Sequence, residues 1–424
     1  MIKKGSDHHL FEPSNISLYT LQPQNTMTSR KSVIPLSIIL PVVLTAFVIP
    51  ACSETPEEPG RIFYPTDYQT VLYNDDHNSE GFLVPLENGN ILLLFRIDPG
   101  LEGNHVGTNG YIAQITYDPD KDEWGDPVTV YNSHRFDDRN IHGGITREGR
   151  IVIFFRHLGQ NGQGRFTEGR YFLYSDDDGQ TWSGPHESES WSDPDLPDPR
   201  FGVWGTGQMF YNGDIDRYCM LGYGRHITFI TCCRDGSSWD EIYLVSEDPE
   251  VALTEISGAW AGNNRVIALI RDDARRAGHP LLQVESHDNG ITWTDPVPTN
   301  IPVEPHWGAA PQLIYDQARD LLIALTSDRY SRDDSENSLF IYSARPDEVL
   351  GKPGNWTFEY ELSRPWASKT YDGDRPLNQN LYGYPTIAPL NDKEYLVVFT
   401  ERARVEGTEQ ADLYYFRLIF DDPY

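Results

Sequence analysis

Side chains that could do chemistry occur in six short segments spread along the chain. The segments mix carboxylates, imidazoles and aromatic rings, and aromatic faces with converging polar groups are typical of sugar-binding pockets. A tyrosine phenol titrates near about 10, so it becomes a nucleophile at neutral pH only where a base takes its proton. The six segments are Glu80, 137–142, 204–206, Glu255, 306–307 and 382–384.

The elements that must position these side chains are repeated. A short apolar strand that ends in arginine occurs six times, at 91–96, 151–156, 218–225, 266–271, 321–329 and 395–402. Another strand and a polar turn precede each copy, and a third strand follows most copies. A repeat of about 60 residues with four antiparallel strands is typical of a propeller blade.

The repeats predict an all-β, six-bladed β-propeller over residues 61–424. The chain ends just after the third strand of the sixth repeat, so the fourth strand of that blade must come from elsewhere. Residues 68–73 lie before the first complete repeat and are the expected donor, which would close the ring and remove its open edges. The six segments would then lie together at the mouth of the propeller axis.

Composition excludes several classes of protein. The chain has 34 Lys and Arg against 64 Asp and Glu, a formal net charge of −30, which argues against a nucleic-acid binder. Hydrophobic residues make up 38%, so the chain can fold around a large core. Four cysteines are too few for a disulfide scaffold, although a Cys219–Cys232 bridge would suit an exported protein. We expect no metal and no cofactor.

The N-terminal region predicts export. The basic pair 30–31 precedes an uncharged stretch, 33–51, that ends at Cys52, as in a secretory signal. Residues 49–52 resemble a bacterial lipobox, whose cysteine becomes the lipidated first residue. We therefore expect residues 1–52 to be an export segment. The protein is expected to be a lipoprotein at the outer membrane, in the periplasm or on the cell surface, or else to be secreted.

Three further expectations concern the same region. Met27 begins a normal signal-peptide head, so translation is expected to start near it. Residues 53–60 are acidic and rich in proline, which is typical of a linker. A transmembrane anchor is the alternative to a signal, but the prolines of the apolar stretch make a poor helix.

Two repeats contain the pattern Ser-x-Asp-x-Gly-x-Thr-Trp, at 175–182 and 286–293, and residues 232–239 keep part of it. This pattern resembles the Asp-box of the sialidase (neuraminidase) superfamily, and the resemblance implies a six-bladed propeller. In the box the Asp accepts turn hydrogen bonds, the Gly permits the turn and the Trp packs between sheets. These Asp residues are therefore assigned to structure.

The resemblance also implies catalytic residues. Sialidases begin their fourth blade with a Glu, matched by Glu255, and open their last blade with a nucleophilic Tyr, matched by Tyr384, with Tyr382 as a neighbouring candidate. Glu401 matches the Glu that ends this last hairpin. The family's acid/base Asp follows the second strand of the first blade. The loop at that place offers three candidate side chains, Asp98, Glu102 and His105. We predict that Asp98 is the acid/base residue.

An arginine clamp for a carboxylate is implied in part. Arg271 follows Glu255 by the family's spacing of 16 residues, and Arg329 is the counterpart of the fifth-blade arginine, with Arg332 in reserve. The first clamp arginine is missing, because the comparable stretch 78–85 contains none. The resemblance therefore implies a weakened clamp and an acidic or modified sugar other than an ordinary sialoside.

Five further side chains near the strand starts are predicted to bind substrate: Arg139, His142, Trp204, His306 and Trp307. Three functions remain open. The first is an exo-acting glycoside hydrolase that uses Tyr384 and Glu255. The second is a uronate polysaccharide lyase similar to ulvan lyases, which would use His142, His306, Tyr384 and Arg139. The third is a non-catalytic glycan-binding propeller. In each case we expect a monomer whose partner is a glycan and whose membrane contact is the lipid anchor.

Overall fold

The computed structural model describes residues 63–100, 105–162, 164–187, 203–224, 226–248, 252–273, 278–303, 306–328, 338–363, 381–405 and 408–420. The predicted export segment, the lipobox at Cys52, the linker 53–60 and Arg329 lie outside these ranges. Inside them, no helix is long and apolar enough to span a membrane.

Strands make up almost all of the regular structure in the described ranges, beside a short helix α1 (Pro346–Val349). The strands in chain order are β1 (Phe63–Pro65), β2 (Gln69–Leu72), β3 (His77–Pro85), β4 (Ile91–Asp98), β5 (Tyr111–Asp118), β6 (Glu123–Trp124), β7 (Val128–Tyr131), β8 (Asp137–Ile145), β9 (Ile151–Asn161), β10 (Gly164–Ser175), β11 (Ser183–His186), β12 (Val203–Trp204), β13 (Phe210–Asn212), β14 (Arg217–Tyr223), β15 (Ile227–Cys233), β16 (Glu241–Glu247), β17 (Leu253–Trp260), β18 (Val266–Asp272), β19 (Leu282–Ser286), β20 (Val297–Pro298), β21 (Gly308–Asp316), β22 (Leu321–Asp328), β23 (Ser338–Ala344), β24 (Thr357–Ser363), β25 (Leu381–Asn391), β26 (Glu394–Val405) and β27 (Thr408–Phe420).

The apolar strands that end in arginine are buried over most of their length. All eight residues of β4 are buried, because apolar side chains of other strands pack on both of its faces. Phe82 and Leu94 of one sheet, for example, pack against Ile151 and Ile153 of the next. The core therefore lies between sheets, and each strand contributes side chains to two hydrophobic layers.

The strands form five sheets in the described ranges. The largest has the order β25-β26-β27-β3-β4-β5-β6, with β1 and β2 on β27 and β7 on β5. Within it, β25–β27 and β3–β5 are antiparallel groups joined by a parallel pairing of Ala411 with His77. The other sheets have the orders β11-β10-β9-β8, β12-β14-β15-β16 with β13 on β14, β17-β18-β19-β20, and β21-β22-β23-β24.

The N-terminal strand pairs with the last strand, as the sequence predicts. Strand β2 runs antiparallel to β27, with Gln69 opposite Tyr415 and Thr70 opposite Tyr414. This pairing gives the final group of strands its fourth member from the other end of the described chain.

A β-bulge interrupts the first strand of most groups at the same place. The register shifts at the bulge of β3, β8, β21 and β25. The residue there has a positive φ although it is not glycine: Glu80 at 54°, Asn140 at 56°, Ala310 at 49° and Tyr384 at 48°. Strand β17 has its register shift around Glu255. Bulges re-aim side chains, and strained backbone of this kind concentrates at functional sites.

The Asp-boxes are local turns that close on themselves. Asp177 accepts hydrogen bonds from the hydroxyls of Ser175 and Thr181 and from the Thr181 amide, and Asp288 does the same with Ser286 and Thr292. A Cys219–Cys232 disulfide links β14 to β15, and Cys233 is a buried free thiol.

Candidate active site

Two bulges bring a phenol and a carboxylate together. Tyr384 in β25 and Glu255 in β17 are almost fully buried, with 6% and 5% of their surface exposed. The Tyr384 hydroxyl lies 3.4 Å from Glu255 Oε1, at the outer limit of a hydrogen bond. The pair that the sialidase resemblance implies is therefore adjacent in space, and its geometry allows a proton to pass from the phenol to the carboxylate.

The second oxygen of Glu255 is held by two donors. Arg271 Nη1 donates to Oε2 at 2.7 Å, and the backbone amide of Ala310, at the bulge of β21, donates at 2.8 Å. Charge-assisted bonds of this length are strong and fix the orientation of a carboxylate. Oε2 is therefore engaged, and Oε1 is the oxygen that faces the phenol.

Arg271, which donates to Glu255, is itself fixed by two further contacts. Its Nη2 donates to Asp273 at 2.8 Å, and its guanidinium carbon lies 4.3 Å from the ring centroid of Trp307, a cation–π distance. The Trp307 ring is fully buried and donates through Nε1 to the carbonyl of Asp272. Trp307 thus supports Arg271 from behind.

An imidazole flanks the phenol on another side. His105 Nε2 lies 3.4 Å from the Tyr384 hydroxyl, and the two rings stack with centroids 5.7 Å apart and planes 26° apart. His105 lies in the loop after β4, where the sequence offers three acid/base candidates. The imidazole beside the Tyr384 phenol is that of His105, whereas Asp98 Oδ2 lies 3.4 Å from Arg96 Nη2 in a buried ion-pair network.

A second carboxylate–arginine pair occupies the stretch where a clamp arginine is missing. Glu80 Oε1 accepts from Arg139 Nη2 at 2.5 Å, and Oε2 accepts from the Asn140 amide at 2.6 Å. Burial alone would raise the pKa of Glu80, but the charges of Arg139 and Arg96 and the Asn140 amide outweigh it and lower the pKa to about 2. Glu80 is therefore an anion at any physiological pH.

The network extends behind this pair. Arg139 Nη1 lies 3.8 Å from Asp137, which accepts from Arg96 Nε at 2.7 Å. Buried charges need partners, and this chain of alternating signs supplies them. Arg139 is thus near the site, with Glu80 and Asp137 as its carboxylate partners.

The two predicted histidines have different settings. His142 is fully buried, and burial lowers its pKa to about 4 although Glu80 and Glu255 oppose the shift. Its ring nitrogens have no hydrogen-bond partner among the described residues. His306 Nδ1 lies 2.8 Å from Asp328 Oδ2, and about a fifth of its side chain is exposed. Side chains of Trp204 and Tyr382 lie outside the described set, as does the whole of Arg329.

Glu401 is a buried carboxyl group next to another acid. In the pairing of β26 with β27, Glu401 lies opposite Asp412. In the pairing of β26 with β25, it lies opposite Tyr382. Burial, followed by the charge of Asp412, raises the pKa of Glu401 to about 8. Neither of its oxygens has a hydrogen-bond partner within the described ranges. The described residues also contain no group of three or more His, Cys, Asp or Glu that could hold a metal ion.

The residues that sequence reasoning underused are Glu80 and His105. Glu80 appears in the sequence only as a strand-start position, and His105 as one of three loop candidates. Glu80 occupies the same position in its strand as Asn140 and Tyr384 do in theirs, at the bulge with positive φ. Aligning the repeats on their first strands could have identified it. No sequence signal distinguishes His105 from Asp98.

Comparisons with known proteins agree with this architecture. A family model described as a BNR repeat-like domain matches residues 111–313. No curated protein matches the chain. Among solved structures, a Dyadobacter fermentans protein of unknown function matches with a TM-score of 0.66 at 17% identity, over 85% of this chain and 99% of that one.

Sialidases are among the similar structures. The NanB sialidase from Streptococcus pneumoniae matches with a TM-score of 0.57 at 11% identity, over 84% of this chain and 71% of that one. The intramolecular trans-sialidase from Ruminococcus gnavus matches with a TM-score of 0.59 at 13% identity, over 83% of this chain and 97% of that one. At these identities the likeness shows the fold alone, and that fold is the sialidase-like one that the Asp-boxes predict.

Proposed function

We propose that this chain is a retaining, exo-acting glycoside hydrolase in which Tyr384 is the nucleophile. The observation that carries the proposal is the 3.4 Å approach of the Tyr384 hydroxyl to Glu255 Oε1. An activated nucleophile is recognised by a base within reach and a third group that orients the base. Arg271 is that third group, because it fixes the other oxygen of Glu255.

The reaction follows from these contacts. Glu255 takes the phenolic proton as the Tyr384 oxygen attacks the anomeric carbon, and a glycosyl–tyrosine forms while the bond to the leaving group breaks. Water then attacks the same carbon and releases a proton, which balances the proton that the leaving group takes up, and the proton on Glu255 returns to the phenolate. Two displacements retain the anomeric configuration, and a tyrosine nucleophile is the known exception to the two-carboxylate pattern of glycosidases.

Charge at the site indicates the substrate class. Arg271 is the described arginine nearest the base, and we propose that it and Arg329 bind an acidic group on the sugar. Glu80 stands in the stretch where a first clamp arginine would lie, and its anion disfavours a second carboxylate there. The proposed substrate is therefore an acidic or modified sugar that needs fewer than three arginines.

The finer architecture is also part of the proposal. We infer six blades closed into a ring, with the ten-stranded sheet contributing two blades. The pairing of β2 with β27 and the antiparallel groups of the other sheets support this arrangement. An experimental structure with seven blades, or with β2 paired elsewhere, would contradict it.

Export and anchoring are proposed from the sequence. The basic pair 30–31, the apolar stretch 33–51 and Cys52 support an exported lipoprotein. We propose that it acts as a monomer on glycans outside the cytoplasm. Cys52→Ser should release the protein from membranes into the soluble fraction. Unchanged membrane association of that variant would remove the lipobox interpretation.

A second function is favoured by one observation. The stacked His105–Tyr384 pair, with Arg139 close to it, offers the base, the acid and the cation that a uronate polysaccharide lyase requires. Elimination would take a proton from the carbon beside the carboxylate and expel the glycosidic oxygen. The chemistry leaves a double bond in the product, whereas hydrolysis leaves none.

One assay separates the candidates. The purified chain is incubated with methylumbelliferyl glycosides of neutral, uronic and sialic sugars, and separately with uronate polysaccharides. Dye release from an acidic glycoside supports the hydrolase. Ultraviolet absorbance from a new double bond identifies the lyase instead. Binding to immobilised glycans with neither signal identifies a non-catalytic propeller.

A further inference from the structure

His105 is placed to reach a bound sugar as well as the nucleophile. It lies in the loop after β4, with 18% of its side chain exposed, while Tyr384 beneath it is almost fully buried. Its Nε2 faces the Tyr384 hydroxyl at 3.4 Å. A leaving-group oxygen bound near the phenol would lie within reach of the same nitrogen, and catalytic hydrogen bonds that are long without substrate tighten when it binds.

Glu80 stands behind the other ring nitrogen. Its Oε1 lies 3.9 Å from His105 Nδ1 and also accepts from Arg139. Glu80 has no solvent exposure and sits at a bulge with φ of 54°. A buried carboxylate on strained backbone is costly, and such features persist where they serve a site.

We propose that His105 is the acid/base residue that exchanges a proton with the glycosidic oxygen, and that Glu80 is a positioning residue whose charge beside Nδ1 favours the protonated form of the ring. The inference rests on the proposed hydrolase and adds to it the group that assists the leaving sugar or alcohol. An imidazole suits this role because it gains and loses its proton near neutral pH.

The steps balance. In the first displacement the Tyr384 oxygen bonds to the anomeric carbon, its proton passes to Glu255, and His105 Nε2–H protonates the departing oxygen. In the second, neutral His105 takes a proton from the attacking water, the carbon–Tyr384 bond breaks, and Glu255 returns its proton to the phenolate. Both residues end in their starting states.

Several groups face His105 and set its charge. Glu80 favours the imidazolium, while Arg139 opposes it from behind Glu80. The ring of His77 lies 5.7 Å away, and Tyr384 stacks on another side with Glu255 beyond it. The charge of Glu80 lies 3.9 Å from Nδ1, so its removal should move the His105 titration to lower pH.

The first experiment compares leaving groups. His105→Gln keeps a polar group near the Nε2 position but cannot donate and recover a proton. Its kcat/KM is expected to fall by about 10²–10⁴-fold on a phenyl glycoside, and far less on a dinitrophenyl glycoside, whose phenolate leaves without help. The exposed His287→Gln is the matched control and should match wild type. Equal losses on both substrates would overturn the acid/base role.

The second experiment tests Glu80 with Glu80→Gln. The alkaline limb of the kcat/KM profile, and the midpoint of the His105 imidazole signal followed by NMR, should both move to lower pH. The signal is identified by its loss in His105→Gln. If Glu80→Gln does not fold, the double variant Glu80→Gln/Arg139→Gln removes both charges and should shift the midpoint in the same direction by less.

The outcomes distinguish a failure of the role assigned to Glu80 from a failure of the proposed hydrolase function. Hydrolysis by wild type with an unmoved His105 midpoint would overturn the role of Glu80 and leave the proposed function intact. An absence of hydrolysis on every glycoside would overturn the proposed function, and the acid/base role with it, whatever the NMR titration gives.

Discussion

The Tyr384 hydroxyl lies 3.4 Å from Glu255 Oε1, although 129 residues separate the two along the chain. Each residue sits at a bulge in the first strand of its sheet, where the side chain is re-aimed. The repeated strand pattern therefore explains why two distant residues meet, and the contact supports the proposed chemistry.

Glu255→Gln should remove the base and keep the shape of the site. Glutamine cannot accept the phenolic proton, so kcat on an aryl glycoside is expected to fall by about 10²–10⁴-fold with a smaller change in KM. Steady-state kinetics measure both. Glu241→Gln, which breaks a surface ion pair with Arg217, is the control and should leave kcat unchanged. Full activity of Glu255→Gln would assign the base elsewhere.

Arg271→Met tests whether Arg271 binds an acidic group of the substrate. If Arg271 binds an acidic group, the variant should lose about 10- to 100-fold more kcat/KM on an acidic glycoside than on a neutral one. The comparison between substrates cancels the effect on Glu255, which is common to both. Arg217→Met is the surface control. An equal loss on both substrates would show that Arg271 serves only Glu255.

Sialosides should be poor substrates. Glu80 carries a negative charge in the stretch where a first clamp arginine would lie, so methylumbelliferyl sialoside should be cleaved less efficiently than the best acidic glycoside of the panel. The measurement is kcat/KM for each glycoside with the same aglycone. A sialoside that ranks first would contradict this interpretation of Glu80.

The Asp-boxes should matter for stability and not for turnover. Asp288→Ala removes acceptors for the Ser286 and Thr292 hydroxyls and the Thr292 amide, so its Tm should fall by a few degrees. Asp177→Ala should behave alike. Thermal melts measure the change, and Asp295→Ala is an exposed control. A folded Asp288→Ala variant with strongly reduced kcat would place the box in the chemistry.

The raised pKa of Glu401 predicts how the free energy of unfolding depends on pH. Its pKa rises from an ordinary 4.5 to about 8 in the folded state, so between these values the folded chain holds a proton that the unfolded chain has lost. The free energy of unfolding should therefore fall with rising pH in this window, by at most about 1.4 kcal/mol per unit from this group.

Glu401→Gln should remove that contribution. Chemical denaturation at several pH values is the measurement, and the difference between variant and wild type isolates the group from other titrations. The variant should become relatively more stable as pH rises from 4.5 to 8. A constant difference across this range would mean that Glu401 ionises normally in the folded state.

Much of the architecture could be predicted because repetition is visible in the sequence. The Asp-boxes at 175–182 and 286–293 and the apolar strands ending in arginine identify the sheets and their order. The pairing of β2 with β27 follows from counting strands, since an open edge must be covered. These features depend on local patterns, which a sequence displays directly.

The site was less predictable because its contacts are long-range. Tyr384 and Glu255 could be matched by motif, but the loop from Asp98 to His105 carries no pattern that says which side chain turns towards the phenol. The Glu80–Arg139 pair depends on the approach of two sheets. Such choices are made by packing between elements, and a linear pattern does not record them.

The central claim is that Tyr384 forms a covalent bond to the sugar. The direct measurement is acid quenching of the chain during turnover of its best aryl glycoside, followed by peptide mass spectrometry. We expect a glycosyl mass on the peptide that contains Tyr384, at that residue, and none in the Tyr384→Phe variant, which should still bind substrate. A glycosylated carboxylate elsewhere, or full turnover by Tyr384→Phe, would contradict it.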